Sequence, residues 1–314
     1  MKDLRHRHFV TDAHVGVPEL AHTMGCGCPL HSRRLFTGLL LAGGASALAG
    51  PVAAQDGVRE DVGKESRFTK LVSAEQVEAA AAQQYAQMMR EAAQKGALAP
   101  ADHPQVQRLR SIANRIIPFS PPWNQRAPKW RWEVNLIGTQ QLNAFCMPGG
   151  KIAFFYGILQ KLQLSDDEVA TIMGHEVAHA LREHARERMG KNAATRLGAG
   201  LLSGLLGLGG TGDALLNMGG QLLTLNFSRD DESEADIVGM DLAARAGHDP
   251  RAGITLWQKM MAAAKGAPPE FLSTHPSGPT RIRDIEEKLP KVMPLFASAP
   301  RPQRNFGPPP LRPR

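Results

Sequence analysis

Residues 164 to 190, LSDDEVATIMGHEVAHALREHARERMG, impose more on the fold than any other part of the chain. Ser165 followed by Glu168 is a reciprocal capping signal that starts a helix at this point. Val169, Ile172, Met173, Val177 and Ala180 then recur at spacings of three and four, an apolar stripe that predicts a largely buried helix running to about Gly190. Inside that helix stand His175 and His179. Four residues are slightly more than one turn, so both imidazoles share a face about 6 Å apart along the axis. A rigid pair of this kind can close on one metal ion, whereas two core histidines satisfied by backbone carbonyls are the plainer alternative. Glu176 lies beside the pair, turned too far round to join it as a ligand but placed to exchange a proton with a neighbouring water.

Metal binding needs further donors, and residues 227 to 247, FSRDDESEADIVGMDLAARAG, supply carboxylates. The segment reads as a second helix, from Ser228 at its N-cap to Gly247 just beyond its end. Glu232 and Asp236 are one turn apart on one face. One can bind a metal while the other bonds the outer nitrogen of a ligand histidine and so selects its tautomer. Asp230, Asp231 and Glu234 read as favourable charge near a helix N-terminus.

Taken with NAFCMPGGKIAFFYGIL (143 to 159) and STHPSGPTRI (273 to 282), these segments resemble, in order, the HtpX-like and CAAX-prenyl-protease-like zinc metallopeptidases, in particular their exported bacterial quality-control branch. The resemblance covers about residues 67 to 290. It implies an α+β, predominantly helical, zincin-like domain with a small β-sheet, and a single Zn²⁺ held by His175, His179 and Glu232. Glu176 would be the base, and Asp236 would support a ligand histidine. By the same resemblance His275 and Arg281 face the cleft, where either stabilises an oxyanion or His275 caps the metal in a resting state, and Asn143, Ala144 and Phe145 form a substrate-binding edge.

The residues around these motifs agree with that picture. WRWEVNLIG and QLNAFCMPGGKIAFFYG read as short strands, the latter two turning at Pro148, Gly149 and Gly150. An exposed edge there would pair with an extended peptide through backbone bonds and so tolerate many sequences. SAEQVEAAAAQQYAQMMREAAQKG starts at Ser73 and reads as a helix, as does QVQRLRSIANRII, which ends at Pro118.

The ends differ from the middle. Residues 1 to 54 have the form of a twin-arginine export signal: Arg33 and Arg34 precede a weakly apolar run, and Val52-Ala53-Ala54 offers a cleavage site. The expected destination is the periplasm, with Met24 as an alternative start and an uncleaved anchor as the competing reading. Residues 55 to 66 read as a linker, and 291 to 314 as a disordered tail rich in proline and arginine. Between the metal helices, the glycine- and leucine-rich stretch 197 to 225 reads as a mobile lid or a shallow membrane contact.

With 314 residues, 42% hydrophobic and 21% charged, the chain is long enough for one catalytic domain plus extensions. Its net charge of +7 is drawn partly from the leader and from four arginines of the tail, so nucleic-acid binding has no support. Cys26 and Cys28 fall in the leader, which leaves Cys146 with no intramolecular disulfide partner. The expected function is therefore a periplasmic zinc metalloendopeptidase acting on unfolded or misfolded envelope proteins, with a peripheral membrane or outer-membrane assembly partner. The competing class is a chaperone-like binding module that holds such clients with little proteolysis.

Overall fold

A buried glutamate and an unusual backbone angle divide the predicted long helix in two. In the computed structural model, which describes residues 56–198, 218–222, 225–264, 270–275 and 280–311, the elements run as follows. Helices α1 (Ala74–Gln94) and α2 (Pro104–Ile116) precede strands β1 (Glu133–Ile137), β2 (Ala144–Met147) and β3 (Lys151–Phe155). Then come α3 (Tyr156–Lys161), α4 (Asp166–Leu181), α5 (His184–Gly198), α6 (Arg229–Arg245), α7 (Ala252–Ala263), α8 (Glu270–Thr274) and α9 (Thr280–Ser298). The leader expected over 1–54 and most of the stretch 197–225 lie outside the described residues.

The capping signal of α4 works as its residue types require: the Glu168 N–H donates to Ser165 Oγ at 3.2 Å, and the Ser165 N–H donates to Glu168 Oε2 at 2.8 Å. The helix does not reach Gly190. It ends at Leu181, and Glu183 adopts φ of 58°, in the left-handed region. Glu183 is buried at this bend, where its carboxylate accepts from Arg126 and Arg186, and α5 then departs in a new direction. Gly190 is thus interior to α5, where its missing side chain leaves room for the backbone of Phe68. The second metal helix begins and ends where its sequence predicts. Ser228 and Asp231 form its reciprocal cap, and Gly247 beyond its end takes φ of 83°.

The sheet has the order β1-β3-β2, with β1 parallel and β2 antiparallel to the central β3. Ile152 of β3 pairs with Val134 on one side and Cys146 on the other. β2 is therefore an edge, as the sequence predicts. α4 is enclosed by β2, α2, α6 and α7, so its side chains are buried all round and not along one stripe. This is the mostly helical α+β architecture expected of a zincin-like domain.

Both margins of the domain are more ordered than the sequence implies. In the expected linker, Val58 is fully buried and Asp61 pairs with Lys288 and Lys291 of α9. At the other end, the expected boundary at residue 290 falls inside α9, which contains Pro290 and Pro294. Residues 300 to 311 then lie against the body of the domain, which corrects the expectation of a disordered tail for the described part. A proline-rich segment has few N–H donors but keeps its carbonyl acceptors. Gln160 and Gln163 supply the donors, to Pro310 O and Pro309 O, while the N–H groups of Phe306 and Gly307 donate to Asp166 at the start of α4. Arg108, fully buried, holds the same Asp166 carboxylate at 2.6 Å.

Candidate metal centre

His175 and His179 project from adjacent turns of α4 with their Nε2 atoms 3.0 Å apart. Across from them, α6 carries Glu232, whose carboxylate oxygens lie 3.6 Å from His175 Nε2 and 3.4 Å from His179 Nε2. α8 is pinned to the segment entering β2, since the Phe271 N–H donates to Leu142 O, and it delivers His275 to the same place. His275 Nδ1 stands 2.9 Å from Glu232 Oε1 and 3.3 Å from His175 Nε2. All four residues are buried, and their donor atoms lie within 4.8 Å of one another.

This donor set fits a zinc ion. Ligand atoms at about 2.0–2.1 Å from a tetrahedral centre are separated from each other by about 3.3 Å, and the four side chains already approach that spacing. Burial keeps His179 neutral by pushing its pKa well down, as a nitrogen ligand must be. Burial opposes ionisation of Glu232, but hydrogen bonds from His179 and His275 and the charge of the nearby histidines outweigh it, so the carboxylate is held far below its ordinary range. His275 responds oppositely: burial lowers its pKa, yet Glu176 and Glu232 together raise it.

Asp236 takes the supporting position that its spacing from Glu232 allows. Its Oδ1 lies 2.9 Å from His175 Nδ1, which leaves Nε2 of that ring free for a metal. Arg281, in the first turn of α9, was expected to face the cleft; its guanidinium instead sits behind the carboxylates. It donates to Asp236 Oδ2 and Oδ1 at 2.6 Å each and to Glu232 Oε2 at 2.7 Å, and its Cζ lies over the Trp257 ring, 3.7 Å from the centroid. A full positive charge therefore balances the two carboxylates, and Arg281 Nη2 also comes within 3.4 Å of His175 Nδ1.

Glu176 differs from the other carboxylates. Burial is the largest influence and raises its pKa despite the opposing charges of His275 and His175. Among the described residues its Oε1 has no hydrogen-bond partner, although His275 Nε2 approaches to 3.4 Å. A desolvated carboxylate with a free oxygen at the edge of a donor cluster is ready to exchange a proton. It opens onto a cavity of about 260 Å³ whose base also includes His179 and His275. The walls are mainly apolar, with Met88, Phe155, Leu222 and Phe227 facing Asn143, Ala144 and Phe145 of the β2 edge. Cys146 is buried in β2 beside the cleft, and burial raises its thiol pKa.

Two contributors escaped the sequence reading. On an uninterrupted helix His184 would sit about 140° round from His179, because five residues are not a turn. The bend at Glu183 instead returns its ring, so that His184 Nδ1 lies 2.9 Å from His179 Nδ1. Glu234, expected only as charge near a helix N-terminus, accepts from His184 and from Arg182 Nε at 2.5 Å. Their only advance signal was a third histidine in HEVAHALREH, a spacing that means nothing without the bend. Phe227 stacks on His179 with ring centroids 4.0 Å apart, and Phe271 on His275 at 4.5 Å, which limits how far either imidazole can rotate.

Comparison with known proteins extends these observations. The family model described as peptidase family M48 matches residues 100–289. Mitochondrial metalloendopeptidase OMA1 of Schizosaccharomyces pombe is 38% identical over 196 residues, covering 62% of this chain and 56% of that protein. The protein of the same name from Arabidopsis thaliana is 42% identical over 152 residues, 48% of this chain and 30% of the relative. The beta-barrel assembly-enhancing protease of Yersinia pestis is 28% identical over 280 residues, 83% of this chain and 53% of the relative. The chain thus spans roughly a third to a little over half of the length of these curated relatives. The matched region contains both metal helices, His275 and Arg281, and on that match the chain belongs to peptidase family M48.

Proposed function

We propose that this chain is a zinc-dependent metalloendopeptidase that hydrolyses unfolded or damaged proteins of a bacterial envelope. The observation carrying this reading is the convergence of His175, His179 and Glu232 within ligand spacing, next to a buried Glu176 whose Oε1 has no hydrogen-bond partner among the described residues. Zinc held there supplies Lewis acidity, which polarises a carbonyl oxygen and makes a water easier to deprotonate. The remaining work belongs to side chains. Glu176 takes the water proton at its free carboxylate oxygen and later delivers it to the leaving amine. The raised pKa of this carboxyl suits both halves of that exchange. Asp236 keeps the His175 proton on Nδ1, and Arg281 holds Asp236 and Glu232 in place. The β2 edge at Asn143, Ala144 and Phe145 lies along the cavity, where an extended substrate can add as a strand.

His275 favours a second state of the same enzyme over a purely client-holding module. It is a fourth donor within the cluster and also approaches Glu176, so it serves as a resting-state cap that an incoming substrate displaces, or as a donor to the oxyanion. Placement in the periplasm, and an outer-membrane assembly partner, are supported by the twin-arginine leader and by similarity to proteins named beta-barrel assembly-enhancing protease. Among the described residues no helix is long and apolar enough to cross a membrane.

Comparison of wild type with Glu176→Gln tests the central claim. The variant is expected to keep one zinc per chain and to lose casein cleavage by about 10²–10⁴-fold. Loss of zinc, or undiminished cleavage, would overturn the assigned role.

A further inference from the structure

Each of the two α4 histidines presents Nε2 to the donor cluster and Nδ1 to a partner behind it. For His175 that partner is Asp236, fixed by Arg281. For His179 it is a second imidazole: His184 Nδ1 at 2.9 Å, with His184 Nε2 3.3 Å from Glu234 Oε2. Glu234 is in turn held by Arg182 Nε at 2.5 Å, and Arg182 Nη2 donates to Gly63 O at 2.5 Å.

We propose that His184 and Glu234 are positioning residues for the metal ligand His179, forming an imidazole-to-carboxylate relay that selects the tautomer able to bind zinc through Nε2. The proton positions follow from elimination. A neutral His179 whose Nε2 carries the metal must have its proton on Nδ1. Among the described residues the acceptor facing that proton is His184 Nδ1, which must then be the bare nitrogen. His184 accordingly carries its proton on Nε2 and donates it to the Glu234 carboxylate. Every donor in the relay finds an acceptor in this arrangement, whereas the opposite tautomer of His184 would set two N–H groups facing each other at His179 and leave a bare nitrogen against the Glu234 carboxylate. His184 is 1% exposed, so water does not stand in for a lost link at low cost. Arg182 and Arg281 play matching parts, each anchoring the carboxylate that terminates one relay.

This inference rests on the zinc reading above, and zinc affinity of the full chain, measured by competition with a chromogenic chelator, separates the two. His184→Ala is expected to weaken zinc binding by about 10–100-fold. His184→Gln, whose side-chain carbonyl can accept from His179 Nδ1, is expected to recover most of that loss. The visible spectrum of the cobalt-substituted protein should shift in His184→Ala and return toward wild type in His184→Gln. A merely structural His184 would lower the thermal midpoint of the metal-free protein but leave affinity and spectrum unchanged, and that result overturns the relay. Should His184→Ala fail to fold, Glu234→Leu carries the same test, with about tenfold weaker binding expected and unchanged binding fatal. Wild type that binds no zinc overturns the metal assignment itself.

Discussion

Gly174 and Gly239 meet where α4 crosses α6, so closely that a Cβ on Gly174 would stand 2.6 Å from the Gly239 carbonyl oxygen. The reverse substitution is no easier, since a Cβ on Gly239 would stand 2.6 Å from the His175 backbone nitrogen. In both directions the obstacle is backbone, which cannot rotate aside. Two glycines thus set the distance between the helix that supplies both imidazoles and the helix that supplies Glu232 and Asp236.

Gly239→Ala is therefore expected to spread these helices, costing about 1–3 kcal/mol in stability. It should also weaken zinc binding, since Glu232 moves with α6. Thermal unfolding of the metal-free chain together with a zinc titration checks this, and wild-type values in both would refute the spacing role.

Arg281 is buried against two carboxylates, so Arg281→Met leaves Glu232 and Asp236 facing each other without a cation. Removing one partner from a buried ion pair costs about 3–5 kcal/mol. A divalent ion can replace the missing charge, so the metal-free protein should lose more stability than the zinc-loaded one. Equal losses with and without zinc would count against this charge-balancing role and favour a direct part in catalysis.

Arg108 joins α2 to the first residue of α4, and Asp166 also receives two N–H groups from the C-terminal segment. Arg108→Met is expected to destabilise the fold by about 3–5 kcal/mol. Limited proteolysis should then cut between residues 299 and 311 sooner than in wild type. A segment that stays protected in the variant would show that it is held independently of Asp166.

Asp61 pairs with Lys288 and Lys291, and hydrogen bonding to Lys291, followed by Lys288, lowers its pKa. A carboxylate with a depressed folded-state pKa contributes stability in full above its unfolded value of about 3.9, and loses it as pH falls through the folded value. The gap in thermal midpoint between wild type and Asp61→Asn should thus be constant above about pH 5 and close progressively below about pH 4. A gap unchanged down to pH 2 would show that the Asp61 pairs add nothing to the fold.

Much of the centre was legible in the chain because helices convert spacing into direction. The four-residue interval of His175 and His179, that of Glu232 and Asp236, the capping box at Ser165 and the N-cap at Ser228 need only local geometry, and each is found where the spacing puts it. The hairpin of β2 and β3 followed similarly from two short strands joined by a glycine turn, and the family resemblance implied that its first strand is the edge. Local rules could not carry His184 or Glu234 to their places. They meet through the bend at Glu183, and that bend is held by Arg126, far away in the sequence. Arg281 was visible as a residue but not as a buried counter-charge, because the charge balance of a cluster depends on which segments enclose it. Order in the C-terminal segment was hidden for a like reason: its composition argues against a core of its own, and its hydrogen-bond partners are distant, donors from α3 and the turn after it and an acceptor carboxylate from α4. The order of residues determined which helices form and which faces carry donors. Only tertiary packing decided what stands behind each donor, since the partners that bury and bond the groups at the centre come from distant segments and not from neighbours in the chain.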